Sequence, residues 1–277
     1  MFSEIRTTAQ WGRVLWLQHA DVEIGVALEF GIRIVHLSCT GMENLYYVQP
    51  NDLSDNFTKG QWRVYGGHRL WMAPESLGSY CPDNAPVGYS LEENGVLITQ
   101  QPDPVLHIRK KIRITCLEDG GVKLDHTIEN LAEVPVTGAS WGVNTLDGGG
   151  KVEICFSCGA RGGFNPKRVV SLWSDTNLHD ARVSFDRDRL TATHLPLPEY
   201  FKIGLYVNPG KAVLYNKGQQ LTIEFDVLPM DAYMDGGCNF ELYMCSRFME
   251  LETLGSRTEM LPGQTACHTE VWHLNRS

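Results

Sequence analysis

Two short stretches hold most of the side chains in this sequence that could do chemistry. Residues 238–254 read CNFELYMCSRFMELETL. As extended chain they put Asn239, Glu241 and Tyr243 on one side and Phe240, Leu242 and Met244 on the other, because side chains alternate across a strand. After the Cys245-Ser246-Arg247 break, Glu250 and Glu252 share a side, and Met249 and Leu251 oppose them. Each segment thus offers an apolar face to a core and another face bearing carboxylates. A solvent-facing sheet would favour Lys, Thr and Ser there. Carboxylates beside Tyr and Asn fit the lining of a polar cleft, and the expected occupant is a carbohydrate. Glu250 is read as a rim charge or a partner for Arg247.

Residues 65–75, YGGHRLWMAPE, form the second stretch. Read as a loop, Gly66-Gly67 permits unusual backbone angles and close approach of a ligand. The aromatic face of Trp71 suits stacking on the C–H-rich face of a sugar, while His68, Arg69 and Glu75 can hydrogen-bond its hydroxyls. The plainer alternative is a buried turn in which Arg69 pairs with Glu75 and Trp71 fills the core. Lys202, in Phe201-Lys202-Ile203-Gly204, reads as an interior charge able to neutralise Glu241 and Glu252 and keep a base ionised, or else as a surface lysine.

These groups need a scaffold, and the rest of the chain indicates which kind. Its 277 residues are 43% hydrophobic and 21% charged, an ordinary globular balance. A net charge of -9 without a basic run argues against a nucleic-acid partner. No apolar stretch approaches the roughly 20 residues that span a bilayer, and the first residues show no signal-peptide pattern, so a cytoplasmic location and no membrane contact are expected. The oligomeric state stays open. Most of the eight cysteines lie in apolar, strand-like runs and read as small reduced hydrophobes. Cys155 and Cys158 have zinc-ligand spacing, but no second pair completes four ligands, so no metal and no cofactor are expected.

Short alternating runs bounded by Gly, Pro, Asn and Asp recur along the whole chain. Residues 14–17, 22–30 and 32–37 read as early strands, and 45–48 and 64–65 follow. Residues 107–117 and 122–130 read as a hairpin around Asp119-Gly120-Gly121. No segment holds a 3.6-residue period for long enough to make a helix. The fold class is therefore all-β: about fifteen strands in a large antiparallel sandwich, with residues 1–277 as one domain and one sheet curved to hold a ligand.

The chain resembles the galactose mutarotase-like group, the aldose 1-epimerase superfamily. Gly31-Ile32-Arg33-Ile34 is similar to an early family strand, and Asn44-Leu45-Tyr46 follows it as a like motif does there. Leu251-Glu252-Thr253-Leu254, then Leu261-Pro262-Gly263-Gln264 and a last strand, resemble the family's C-terminal pattern. The resemblance implies a β-sandwich and an isomerase that interconverts sugar anomers by acid–base catalysis without metal or cofactor. It implies that Glu252 is the base. His68 then becomes the candidate acid, and Arg69, Trp71, Glu75, Trp141, Lys202, Asn239 and Glu241 are the candidates for holding the sugar.

One departure stands out. The family carries a second histidine on a central strand, whereas residues 137–144, TGASWGVN, have none; Ser140 and Trp141 are the nearest equivalents. Two further readings therefore stand beside the isomerase: a non-catalytic carbohydrate-binding sandwich, and a sugar hydrolase or lyase.

Overall fold

Alternation of apolar and polar side chains makes strands here, and helix is confined to two short 3-10 turns among the described residues. The computed structural model describes residues 1–53, 62–155 and 167–277, with the side chains of 50–53 left aside. Cys158 lies outside the described residues.

The strands run β1 (Phe2–Thr8), β2 (Gly12–His19), β3 (Val22–Ala27), β4 (Arg33–Cys39), β5 (Val48–Leu53) and β6 (Arg63–Ala73). Next come β7 (Gly88–Glu92), β8 (Gly95–Thr99), β9 (Ile108–Cys116), β10 (Val122–Asn130), β11 (Val136–Asp147) and β12 (Lys151–Cys155). β13 (Val170–Leu172), β14 (Val183–Phe185), β15 (Arg189–Thr193), β16 (Phe201–Leu205), β17 (Lys211–Asn216) and β18 (Gln219–Phe225) follow. The last are β19 (Phe240–Met244), β20 (Phe248–Leu254), β21 (Thr258–Met260) and β22 (Thr265–Arg276).

They form two antiparallel sheets. One has 12 strands in the order β1-β2-β3-β4-β6-β11-β20-β19-β16-β13, with β5 added to β6 and β21 to β11. The other has 10, ordered β14-β15-β12-β17-β18-β22-β10-β9-β8-β7. Phe240, Leu242, Met249 and Leu251 of the first sheet pack in one continuous cluster with Ile112, Leu124, Ile223 and Trp272 of the second. Burying each such side chain contributes about 1.5–3 kcal/mol, which fixes which face of every strand turns inward. The fold is a β-sandwich, as the alternation predicts.

The expected hairpin of β9 and β10 forms, with Val122 opposite Cys116 and Asp119 Oδ1 accepting the Gly121 N–H at 2.9 Å. Several expectations change. The described residues form 22 strands where about fifteen were expected, β1, β7, β13, β14 and β21 being unforeseen, and residues 45–47 lie outside any strand, meeting β11 at an isolated Tyr46–Leu146 bridge.

More consequential, residues 65–73 are not a loop but part of the long strand β6. Gly66 and Gly67 do take positive φ, +79° and +75°. The close approach they permit is of backbone: a Cβ on Gly66 would stand 1.9 Å from Tyr47 O, and one on Gly67 2.3 Å from Ile34 O. After the pair, strict alternation resumes and sorts His68 and Leu70 from Arg69 and Trp71.

Candidate functional site

Strands β6, β11, β20, β19 and β16 are consecutive neighbours in the first sheet. Their side chains that point away from the core line a cleft of about 360 Å³. β6 supplies Arg69 and Trp71, β11 Trp141 and Val143, β20 Glu250 and Glu252, β19 Tyr243 and β16 Lys202. Antiparallel pairing places Arg69, Val143 and Glu252 on one rung across three strands. It also sets Glu241 directly opposite Glu252.

One wall is aromatic. Trp71 lies 5.4 Å from Trp141 and 6.0 Å from Trp62, ring centre to ring centre. Tyr243 and Tyr200 stack at 6.2 Å on another side.

The floor is charged. Lys202 Nζ sits 2.7 Å from Glu241 Oε2, 3.5 Å from Glu252 Oε2 and 3.8 Å from Glu75 Oε2. It also lies over the Trp141 ring at 4.9 Å. Burial raises the Glu252 pKa well above the carboxylate range; Lys202 opposes that, while Glu241 and Glu250 add to it. Burial disfavours the Lys202 cation, yet Glu252 and Glu241 outweigh it and raise the lysine pKa. The expectation that Lys202 approaches both carboxyls matches the geometry. The lysine does favour the Glu252 anion, but burial pushes the pKa the other way and outweighs it.

Arg69 is 4% exposed, with Nη2 3.5 Å from Glu250 Oε1 and its guanidinium 4.0 Å from the Trp71 ring centre. Neither the Arg69–Glu75 pair nor an Arg247–Glu250 pair forms; Glu75 instead takes the Tyr80 hydroxyl, and Glu250 also accepts Thr145 Oγ1 at 2.8 Å. Arg69 Nε and Nη1, and Trp141 Nε1, are buried and have no hydrogen-bond partner among the described residues.

Of the residues singled out in the sequence, Arg69, Trp71, Glu75, Trp141, Lys202 and Glu252 converge on the cleft. Glu241 is 1% exposed and does not line the cleft; it lies against Lys202 and Glu252, which do. Asn239 does not line it: its amide clamps the Val207 backbone, accepting from N at 2.7 Å and donating to O at 3.1 Å. His68 is on the wrong face. It is wholly buried between the sheets, with Nε2 2.8 Å from His126 Nε2 and Nδ1 3.0 Å from Asn144 Oδ1. Burial pushes its pKa down to about 3. Ser140 also points inward, to Ala266 O, so Trp141 alone of that pair meets the cleft. Glu250, read from the sequence as a rim charge, lines the cleft, and so do residues the sequence did not single out, among them Trp62, Tyr80, Val143 and Tyr200. The shared parity of Glu250 with Glu252 was the available signal for the first.

No protein-family model matches the sequence, and no curated protein sequence matches it. Solved structures do. A galactose mutarotase-like protein from Clostridium acetobutylicum matches with a TM-score of 0.60 at 11% identity, over 100% of this chain and 99% of its own. Another from Lactobacillus casei gives 0.59 at 11%, over 95% and 100%. This chain has the galactose mutarotase-like fold. A TPR-domain containing protein from Parabacteroides distasonis matches with a TM-score of 0.63 at 15% identity over 95% of this chain, which spans 47% of that larger protein. At these identities the likeness to the mutarotase-like fold is one of architecture, and the motifs in residues 31–46 and 251–264 had pointed to it.

Proposed function

We propose that the cleft binds an aldose and that the protein is an aldose 1-epimerase-like isomerase. The observation that carries the reading is the pairing of two unlike carboxyls with unused donors. Glu250 and Glu252 lie two residues apart on one strand face, about 7 Å between Cα atoms. Arg69 and Trp141 beside them present buried N–H groups with no partner among the described residues, which sugar oxygens would satisfy.

Exchange of anomers requires a base for the C1 hydroxyl proton and an acid for the ring oxygen, both bonded to the same carbon. Glu250, held by Thr145 and Arg69, is the base in this reading. Glu252, kept neutral by burial, is the acid, a reversal of the role the family motif implies. Proton transfer opens the ring, C1–C2 rotates, and closure on the other face returns both protons. Trp71 and Trp141 offer stacking surfaces, and Lys202 fixes the Glu252 carboxyl.

The second reading is a carbohydrate-binding sandwich without catalysis. It is favoured by one fact: no histidine lines the cleft among the described residues. Anomer exchange followed by NMR over a panel of aldoses decides. The isomerase accelerates exchange of at least one sugar, and Glu252→Gln lowers that rate about 10²–10⁴-fold while affinity changes a few-fold. Binding without acceleration selects the module, an ultraviolet-absorbing unsaturated product selects a lyase, and neither binding nor turnover removes the carbohydrate reading.

A further inference from the structure

Behind β6, on the face away from the cleft, a second group of polar side chains sits between the sheets, and the sugar chemistry makes no use of it. His68 from the first sheet meets His126 (β10) and Glu270 (β22) from the second, all fully buried. One nitrogen or oxygen from each lies within 4.8 Å of the others.

The hydrogen bonds fix how His68 and Glu270 point. Asn144 Nδ2 donates to Glu270 Oε2 at 3.3 Å, so Asn144 Oδ1 is an acceptor. It receives the Tyr46 hydroxyl at 3.1 Å and His68 Nδ1–H at 3.0 Å. In the neutral imidazole, His68 Nε2 then carries a lone pair, aimed at His126 Nε2 only 2.8 Å away. An outer partner that sets the tautomer of one ring nitrogen so that the other can ligate is a recurrent feature of metal-binding histidines.

The carboxylate is unusual too. Glu270 accepts from Thr253 Oγ1 at 2.5 Å and Trp272 Nε1 at 2.6 Å as well as from Asn144, a pattern that favours the anion. No lysine or arginine pairs with it among the described residues. A buried carboxylate without a cation is costly. The sequence nevertheless makes room for it: a Cβ on Gly142 would stand 2.4 Å from Glu270 Oε1.

We propose that His68 Nε2, His126 Nε2 and the Glu270 carboxylate bind one divalent transition-metal cation of the zinc type, which cross-links the two sheets. Two imidazoles and a carboxylate are a donor set for zinc and its first-row neighbours. Metal–nitrogen bonds of about 2.0–2.1 Å span the 2.8 Å gap at an angle near 86°, and a tetrahedral site needs the nitrogens parted by roughly 0.5 Å more. Charge balance follows, since the cation offsets Glu270.

The test uses the full chain with any affinity tag removed. Elemental analysis should find about one divalent cation per chain, and stripping it with a chelator should lower Tm by about 5 °C or more, restored by zinc chloride. Cobalt(II) chloride added to the stripped protein should give visible d–d absorption. His126→Gln should abolish that absorption, while Glu252→Gln, on the cleft face, should leave it intact. Should His126→Gln fail to fold, Asn144→Ser retains all three donors and should weaken cobalt binding about 10–100-fold. The proposal is overturned if the stripped protein keeps its Tm and takes up neither zinc nor cobalt, leaving a purely hydrogen-bonded histidine pair. Unchanged cobalt absorption in folded His126→Gln, or unchanged affinity in Asn144→Ser, also overturns it.

Discussion

Glu241 and Glu252 face each other across β19 and β20, and the ammonium of Lys202 rests 2.7 Å from one and 3.5 Å from the other. Two carboxylates in that position repel, and water is too scarce to screen them. A single cation compensates only one charge, and burial together with the facing Glu241 pushes the Glu252 pKa up.

Lys202→Met should therefore destabilise the fold by about 3–5 kcal/mol, because it leaves the buried acids without their partner. The loss should grow with pH. Without the cation the Glu252 pKa rises further above its unfolded value, so the stability present below about pH 4.5 is lost as pH increases. Denaturant unfolding at pH 5 and pH 8 measures it, and equal losses at both would contradict the arrangement.

Glu252→Gln should show the opposite trend in stability. The folded pKa of Glu252 lies above its ordinary value, so the acid's contribution is complete below about pH 4.5 and declines as pH climbs towards the folded value. A glutamine has no such decline. The variant should match the parent near pH 4 and exceed it by about 1–2 kcal/mol at pH 8, while turnover falls about 10²–10⁴-fold. A variant less stable at pH 8 than at pH 4, relative to the parent, would show Glu252 to be an ionised, well-paired group.

His68→Gln should leave sugar affinity and turnover within about threefold and cost about 2–4 kcal/mol of stability, the price of disturbing a buried hydrogen-bonded group. Chemical denaturation and anomer-exchange kinetics on the same preparation separate the two effects. A hundredfold fall in turnover in a folded variant would return His68 to the catalytic machinery.

Trp141→Phe keeps an aromatic ring and removes only the unpaired Nε1–H, so sugar binding should weaken by about 0.5–1.5 kcal/mol, up to roughly tenfold. Trp141→Ala also removes the stacking face and should weaken it further. Isothermal titration with the best aldose of the panel tests both; identical affinities for parent and Phe variant would mean the indole N–H meets no ligand.

Much of this molecule was legible in its sequence because period-2 alternation is a local property. The hairpin of β9 and β10 and the two carboxylate faces of β19 and β20 follow from it directly. β6 was misread because Gly66-Gly67 looks like a turn. Only the neighbouring carbonyls of Tyr47 and Ile34 reveal that the glycines let strands crowd together. That misreading carried His68 into the cleft, since a loop has no parity and a strand does. Asn239 failed for a related reason: it has the parity of Glu241, but it precedes the strand and spends its amide on the Val207 backbone. Nothing in the sequence joins His126 and Glu270 to His68, because a cluster built from opposite sheets leaves no spacing to find in one dimension.

The rung that joins Arg69 and Glu252 has an aliphatic midpoint, Val143, whose side chain already faces outward. A Val143→His exchange would lodge an imidazole between guanidinium and carboxyl with no change of backbone register. The architecture is thus one point mutation away from a different proton relay, and position 143 is where a designer, or evolution, would find it.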